Sequence, residues 1–205
     1  MIDENQPAKY VKRYAYIATP PESGWYNGQT YVDTMSKEAM QKFIDITYEA
    51  YKEAVGESFG VNVPAIFTDE PQIAHKISLK FAEGHEDAIM PWTIDFNETY
   101  TEKYGEDLIS KIPEIFWDLS DGRISVARYR YHDHVCDRFT EAFAKQCGTW
   151  CNEKGIALTG HMMEEPTLER QTHSLGEAMR AYEWFQIPGI DILCNTLEIT
   201  TAKQA

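Results

Sequence analysis

The chain has 205 residues, 43% of them hydrophobic, enough to bury a sizeable core in one large domain. Its 33 acids against 19 Lys plus Arg leave a net charge of −14. That excludes nucleic acid and anionic membrane surfaces as natural partners, because both need a basic face. No apolar run reaches the ~18 residues that span a bilayer, and the N-terminus shows no signal-peptide pattern. The localisation read from this is cytoplasmic, or unknown where a parent chain extends upstream. Cys136, Cys147, Cys151 and Cys194 are too few for a disulfide scaffold of this size. Cys147 and Cys151 sit four apart in a helical pattern and read as reduced, buried thiols. With 5 Trp and 12 Tyr the composition suits a sugar cleft, though aromatics fill cores just as readily.

Residues 1–13 are polar and expected to fray. Tyr14 to Ala18 has strand character and stops at Pro20-Pro21. Glu22 to Thr30 reads as a loop, and Tyr31-Val32-Asp33 as a short extended piece closing on an acid. Ser36 then caps a predicted amphipathic helix whose apolar positions, Met40, Phe43, Ile44, Thr47, Ala50, Tyr51, Ala54 and Val55, keep the i, i+3, i+4, i+7 rhythm. Gly56 stops it. Ala65 to Thr68 is a buried strand that ends abruptly in Asp69-Glu70-Pro71. Charge at a buried strand end costs free energy unless it is paired or used.

Residues 71–95 form a long connection of weak periodicity holding His75, His85 and Pro91-Trp92-Thr93. Such connections within compact domains are usually functional. A helix is expected over about 97–104 with Asn97 as its cap, then a turn over 107–111 that ends before Pro113. A long helix follows over about 124–154, with Val135, Phe139, Phe143, Cys147 and Cys151 recurring every four residues and Gly155 at its end. Ile156 to Gly160 is a second buried strand, exiting through His161-Met162-Met163-Glu164-Glu165-Pro166. A shorter helix over 175–184 leads through Pro188-Gly189 to a third strand over 190–193 that carries Asp191.

Strands alternating with helices imply an α/β fold with a mainly parallel sheet. Acids at several strand exits imply that those exits share one edge. The expected architecture is a partial TIM-like (β/α) barrel, residues 1–205 forming a segment of a larger barrel, since a complete one needs about 250 residues.

Glycoside hydrolysis needs two carboxyls across the scissile bond, and neighbouring strand exits can place them ~5–10 Å apart. Glu70 and Glu165 are the candidate catalytic pair, with Glu164 the rival at the second exit. Asp69, His161, Trp92, Asp33 and Asp191 are candidates for shaping a sugar site. His161 would hydrogen-bond a hydroxyl or tune a neighbouring carboxylate, and Trp92 would stack on a ring or plug the packing. His132 and His134 sit two apart on a helix and face apart, so they make no metal pair. A calcium on Asp69 and Glu70 is a weaker reading. Cys147 and Cys151 share a helical face, but no second Cys/His pair at zinc spacing accompanies them; no phosphate loop and no nucleophile elbow is present either, and the reading expects no metal and no cofactor.

These motifs occur in order: Gly24-Trp25-Tyr26-Asn27, Tyr31-Val32-Asp33, Phe67-Thr68-Asp69-Glu70-Pro71, Pro91-Trp92-Thr93, Thr159-Gly160-His161 with Glu165, and Pro188-Gly189-Ile190-Asp191. Together, from about residue 24 onward, they resemble the catalytic-barrel region of large bacterial glycoside hydrolases similar to the α-L-rhamnosidases of glycoside hydrolase family 106. The resemblance implies a carboxylate mechanism on a carbohydrate substrate, with Glu70 the acid or base, Glu165 its partner or a substrate ligand, and further domains of a longer parent chain. Two alternatives stand beside it. One is a non-catalytic carbohydrate-binding remnant of such a barrel. The other is a metal-dependent hydrolase using Asp69, His161 and Glu165.

Overall fold

The computed structural model describes residues 13–73, 76–192 and 199–205. The expected fraying over 1–12, and the readings on His75, Leu193 and Cys194, lie outside them. Ser36 caps helix α1 (Lys37–Phe43), its hydroxyl accepting from the Ala39 N–H at 3.2 Å. The helix runs on through a π-turn over Ile44–Tyr48 into α2 (Glu49–Val55), burying Met40, Ile44 and Tyr48 at four-residue spacing. Helices α3 (Phe96–Tyr104) and α4 (Ile112–Phe116) follow. Then α5 (Val126–Phe139), a π-turn over Thr140–Ala144 and α6 (Lys145–Glu153) make one long rod. Ser125 caps it, and Gly155 closes it at φ 71°. The four-residue repeat is the buried stripe: Phe139 and Phe143 stack at 5.5 Å, and Cys147 and Cys151 are fully buried free thiols. Burying a side chain such as Phe139 contributes about 1.5–3 kcal/mol.

Three parallel strands, β1 (Ala65–Asp69), β2 (Ala157–His161) and β3 (Ile187–Pro188), lie in the order β1-β2-β3. Ala65 pairs with Ala157 and the register carries through to Asp69 opposite His161, while Thr159 meets Ile187. Side chains alternate between faces. Ile66 and Leu158 face the helical core, and α6 packs against β2. The other face carries Phe67, 60% exposed, with Asp69, Thr159 and His161. Gly160 makes the close approach at the top of the sheet: at φ 137°, a Cβ there would lie 1.9 Å from the Thr68 carbonyl.

Several expectations change. Tyr14 to Ala18 is irregular and exposed, with Tyr16 at 79%, because no neighbouring strand pairs with it among the described residues. Asn97 is inside α3 rather than capping it; its Oδ1 accepts from the Leu108 N–H at 3.0 Å. The turn before Pro113 continues into α4, where a proline in the first turn costs no hydrogen bond. The single helix over 175–184 is two, α7 (Leu168–Ser174), capped by Thr167, and α8 (Ala178–Tyr182), with Gly176 at φ 96° breaking between them. The third strand comes earlier than expected, so Asp191 lies three residues past its end rather than within it. The 71–95 connection is irregular apart from an antiparallel bridge between Ile77 and Ile89. The fold is mixed α/β around an open parallel sheet, and among the described residues no further strand closes it into a barrel. The α9 helix (Ile199–Gln204) is short and docks on the β2 exit through Gln204.

Candidate active site at the strand exits

The exit of β1 is built from its strand outward. Asp69 is the last strand residue and points to the open face, so its carboxylate Oδ1 meets His161 Nε2 across the ladder at 3.1 Å. Glu70 then turns into the left-handed region at φ 48°, a conformation that costs a non-glycine residue of order 1 kcal/mol. Its N–H donates to the His161 carbonyl at 3.2 Å, which carries the pairing one residue beyond the strand. The half-buried side chains of Glu70, His161 and Asp191 each bring one ligand atom within 4.8 Å of the others. The Phe67 ring meets the His161 ring edge-on at 5.7 Å and floors the group.

Burial raises the Glu70 carboxyl above the ordinary glutamate range. The neighbouring His161 opposes this, and the negative charges of Asp69, Asp191 and Glu164 reinforce it. A carboxyl whose environment favours its protonated form more than that of its neighbours is the kind of arrangement that separates an acid from a base. The His161 Nδ1 is buried and has no partner among the described residues. Two carboxylates and an imidazole at this separation could also hold a divalent cation. The set is Glu70, His161 and Asp191, which shares only His161 with the metal reading of Asp69, His161 and Glu165.

The exit of β2 is built the other way. Residues 163–166 form a turn that folds the chain back under the strand end. The Glu165 side chain, 3% exposed, accepts from the Met162 N–H at 2.8 Å and from the Tyr182 hydroxyl. Its carbonyl accepts from Gln171 Nε2 at 2.6 Å and Gln204 Nε2 at 3.3 Å. Burial and this carboxylate push the Tyr182 hydroxyl far up. Glu165 thus ties β2 to α7, α8 and α9, and the structure does not bring it into the group around Glu70. Glu164 stands at φ 57°, exposed, ion-paired to Arg170 at 3.2 Å, and fronts the Glu70 rim electrostatically.

Asp33 accepts from the Met35 N–H at 3.0 Å and from the Thr93 hydroxyl at 2.6 Å. Beside it, Thr34 donates to the Gln72 carbonyl at 2.7 Å, and Gln72 N–H donates to the Tyr31 hydroxyl at 3.2 Å. This segment stitches the chain just after Glu70 to the 90s loop. Trp92 is half-buried against Phe96 at 5.0 Å between ring centres, in a packing position. Sequence reading missed Tyr182 and Tyr31, because a tyrosine in a helix or loop carries no mark of the hydroxyl contact it makes.

No protein-family model matches the chain, and no curated protein does. Among solved structures the chain is similar to a rhamnosidase from Novosphingobium sp. PP1Y, with a TM-score of 0.52 and 18% identity over 76% of this chain. The chain spans 13% of that rhamnosidase's length. At this identity the likeness is one of fold.

Proposed function

We propose that this chain forms part of a glycoside hydrolase of α-L-rhamnosidase type, with Glu70 as the catalytic acid/base. The observation that carries the reading is the Glu70 carboxyl, half-buried, held in a strained backbone at a strand exit and shifted towards its protonated form among acids. In this reading Glu70 protonates the leaving glycosidic oxygen. Asp191, with an oxygen within 4.8 Å of Glu70, takes the place of the ionised partner. That approach fits the ~5–5.5 Å carboxyl spacing of retaining enzymes. Asp69 orients His161, whose imidazole hydrogen-bonds a sugar hydroxyl. Glu164 completes the acidic rim, and Glu165 holds the β2 exit in place. The rhamnosidase likeness supports the fold this requires and no more. The test is hydrolysis of an aryl rhamnoside by the full-length protein, following the first-formed anomer by proton NMR. Retention is expected, with loss of turnover in D191N; inversion, or normal turnover in D191N, contradicts the pairing.

The Glu70, His161 and Asp191 group also favours a second reading, a divalent cation that binds sugar hydroxyls at the same rim. Chelation would then abolish activity and added metal restore it. Activity unchanged by chelation removes this reading and leaves the first intact.

A further inference from the structure

One aromatic side chain stands apart from the packing. Of the five Trp in the sequence, Trp92, Trp117, Trp150 and Trp184 are buried or half-buried, while Trp25 is 86% exposed. Among the described residues Trp25 makes no ring contact, and its indole N–H makes no hydrogen bond. The turn that carries it is stiff. The Ser23 Oγ accepts from the Trp25 N–H at 3.2 Å, and the Ser23 N–H donates to the Gln29 carbonyl at 3.1 Å. The Gly28 N–H donates to the Ser23 carbonyl at 2.9 Å. Asn27 at φ 55° and Gly28 at φ 72° take the left-handed region, which folds the chain back and closes the turn. The Tyr26 ring packs on Tyr31 at 4.9 Å between centres. The Tyr31 hydroxyl in turn accepts from the Gln72 N–H at 3.2 Å, two residues past Glu70. The turn is thus anchored to the segment that leaves the β1 exit.

Water over an exposed indole is released when a ring covers it, and an aromatic side chain on a stiff turn loses little freedom on binding. Space is open on both sides of it: a Cβ on Gly24 or Gly28 would meet nothing within 4 Å. Asn27 and Gln29 stand exposed on the same turn, and their side-chain amides have no partner among the described residues. Each amide offers both donors and an acceptor, the combination that neighbouring sugar hydroxyls need. The C–H face of a pyranose carries weakly positive hydrogens and lies well on the electron-rich face of an indole. A protein-binding anchor would sit instead inside a patch of contacts that excludes water. Here the other exposed side chains over residues 22–30 are Glu22, Asn27, Gln29 and Thr30, all polar. We propose that the Trp25 turn is a stacking platform for a pyranose ring of the substrate other than the one cleaved, with Asn27 and Gln29 as its hydroxyl ligands. The platform rests on the carbohydrate substrate proposed above, and not on Glu70 as the acid/base.

The test labels the full chain with fluorotryptophan and follows the Trp25 line by fluorine NMR, assigned by its absence in W25F. The probes are the methyl glycosides of rhamnose, glucose and galactose, with sorbitol as a control that has hydroxyls but no ring face. A saturable shift with at least one glycoside and none with sorbitol is expected. The double variant N27G/Q29A removes both amides at exposed positions, and glycine keeps the left-handed backbone. The affinity read at the same line should then fall about tenfold. A line unmoved by all the glycosides, moved as much by sorbitol, or titrating with unchanged affinity in the double variant overturns the proposal. So does a shift that grows with protein concentration alone, which would make this surface a contact between copies. Turnover of the aryl rhamnoside beside an unmoved Trp25 line refutes the platform and leaves the hydrolase reading standing. A responding line without turnover does the reverse.

Discussion

At the exit of β1, Asp69-Glu70-Pro71 leaves the strand on its open face, with Glu70 half-buried in a left-handed turn. At the exit of β2, Glu164-Glu165-Pro166 carries the same order of acid, acid and proline, yet Glu165 is buried and its Oε1 accepts two hydrogen bonds. The difference is one of spacing. Glu70 follows its strand immediately, whereas three residues separate His161 from Glu165 and let the chain turn back beneath the strand end. There the Glu165 carboxylate receives both the Met162 N–H and the Tyr182 hydroxyl. One exit leaves an acid strained and shifted; the other uses an acid to hold the sheet.

Substitutions that separate these two roles test the comparison. The largest stability effect is expected from E165A, which leaves the buried Met162 N–H without its carboxylate and breaks the link to Tyr182. A loss of about 2–4 kcal/mol follows, a fall of about 5–15 °C in melting temperature for a domain of this size. A melt within ~2 °C of wild type would show that the β2 exit does not depend on Glu165.

Next comes pH. His134 is 3% exposed among Phe96, Tyr100 and Tyr104, and 2.9 Å from the Thr99 hydroxyl; burial pushes it down to about 4. His132 is lowered to about 4 by burial and its cationic neighbours. Below the ordinary histidine value of about 6.5 the unfolded chain takes up protons that the folded chain refuses, so stability falls with pH until about 4. Each histidine contributes about 2 kcal/mol between pH 6.5 and 4.5. Denaturant melts across this range check it, and H134Q should flatten the slope. A slope unchanged by H134Q contradicts the buried, neutral state of that imidazole.

Smaller effects sharpen the first exit. E70G replaces a strained residue by the one that adopts φ 48° freely, and stability should rise by about 0.5–1 kcal/mol. A loss instead would mean that the Glu70 side chain holds the fold. D69N removes one of the charges that raise the Glu70 carboxyl. Because Asp69 is mostly exposed, the limb of the pH–activity profile that reports Glu70 should move down only slightly.

Much of the molecule was legible in the chain itself. The long helix behind Val135, Phe139, Phe143, Cys147 and Cys151 follows from a four-residue apolar repeat, and both strands that carry the site follow from short apolar runs between a glycine or proline and a cluster of acids. Glu70 was legible because it abuts its strand. What could not be read depends on contacts distant in sequence. The short β3 exists only because Thr159 and Gly160 offer it an edge, and Tyr14–Ala18 stays irregular for want of one. Glu165 and Asp33 look like site residues from composition; only Tyr182, Met162 and Thr93, brought to them by the fold, reveal their bonding roles.

The measurement that bears most directly on Glu70 is turnover of an aryl glycoside by the full-length E70Q protein, taken with its melting temperature. Glutamine preserves shape and removes the titratable proton. Turnover should fall by about 10³-fold or more while the melting temperature stays level or rises, as expected for loss of a positioned acid/base. Near-normal turnover in a folded E70Q protein would contradict the catalytic role assigned to this strand exit.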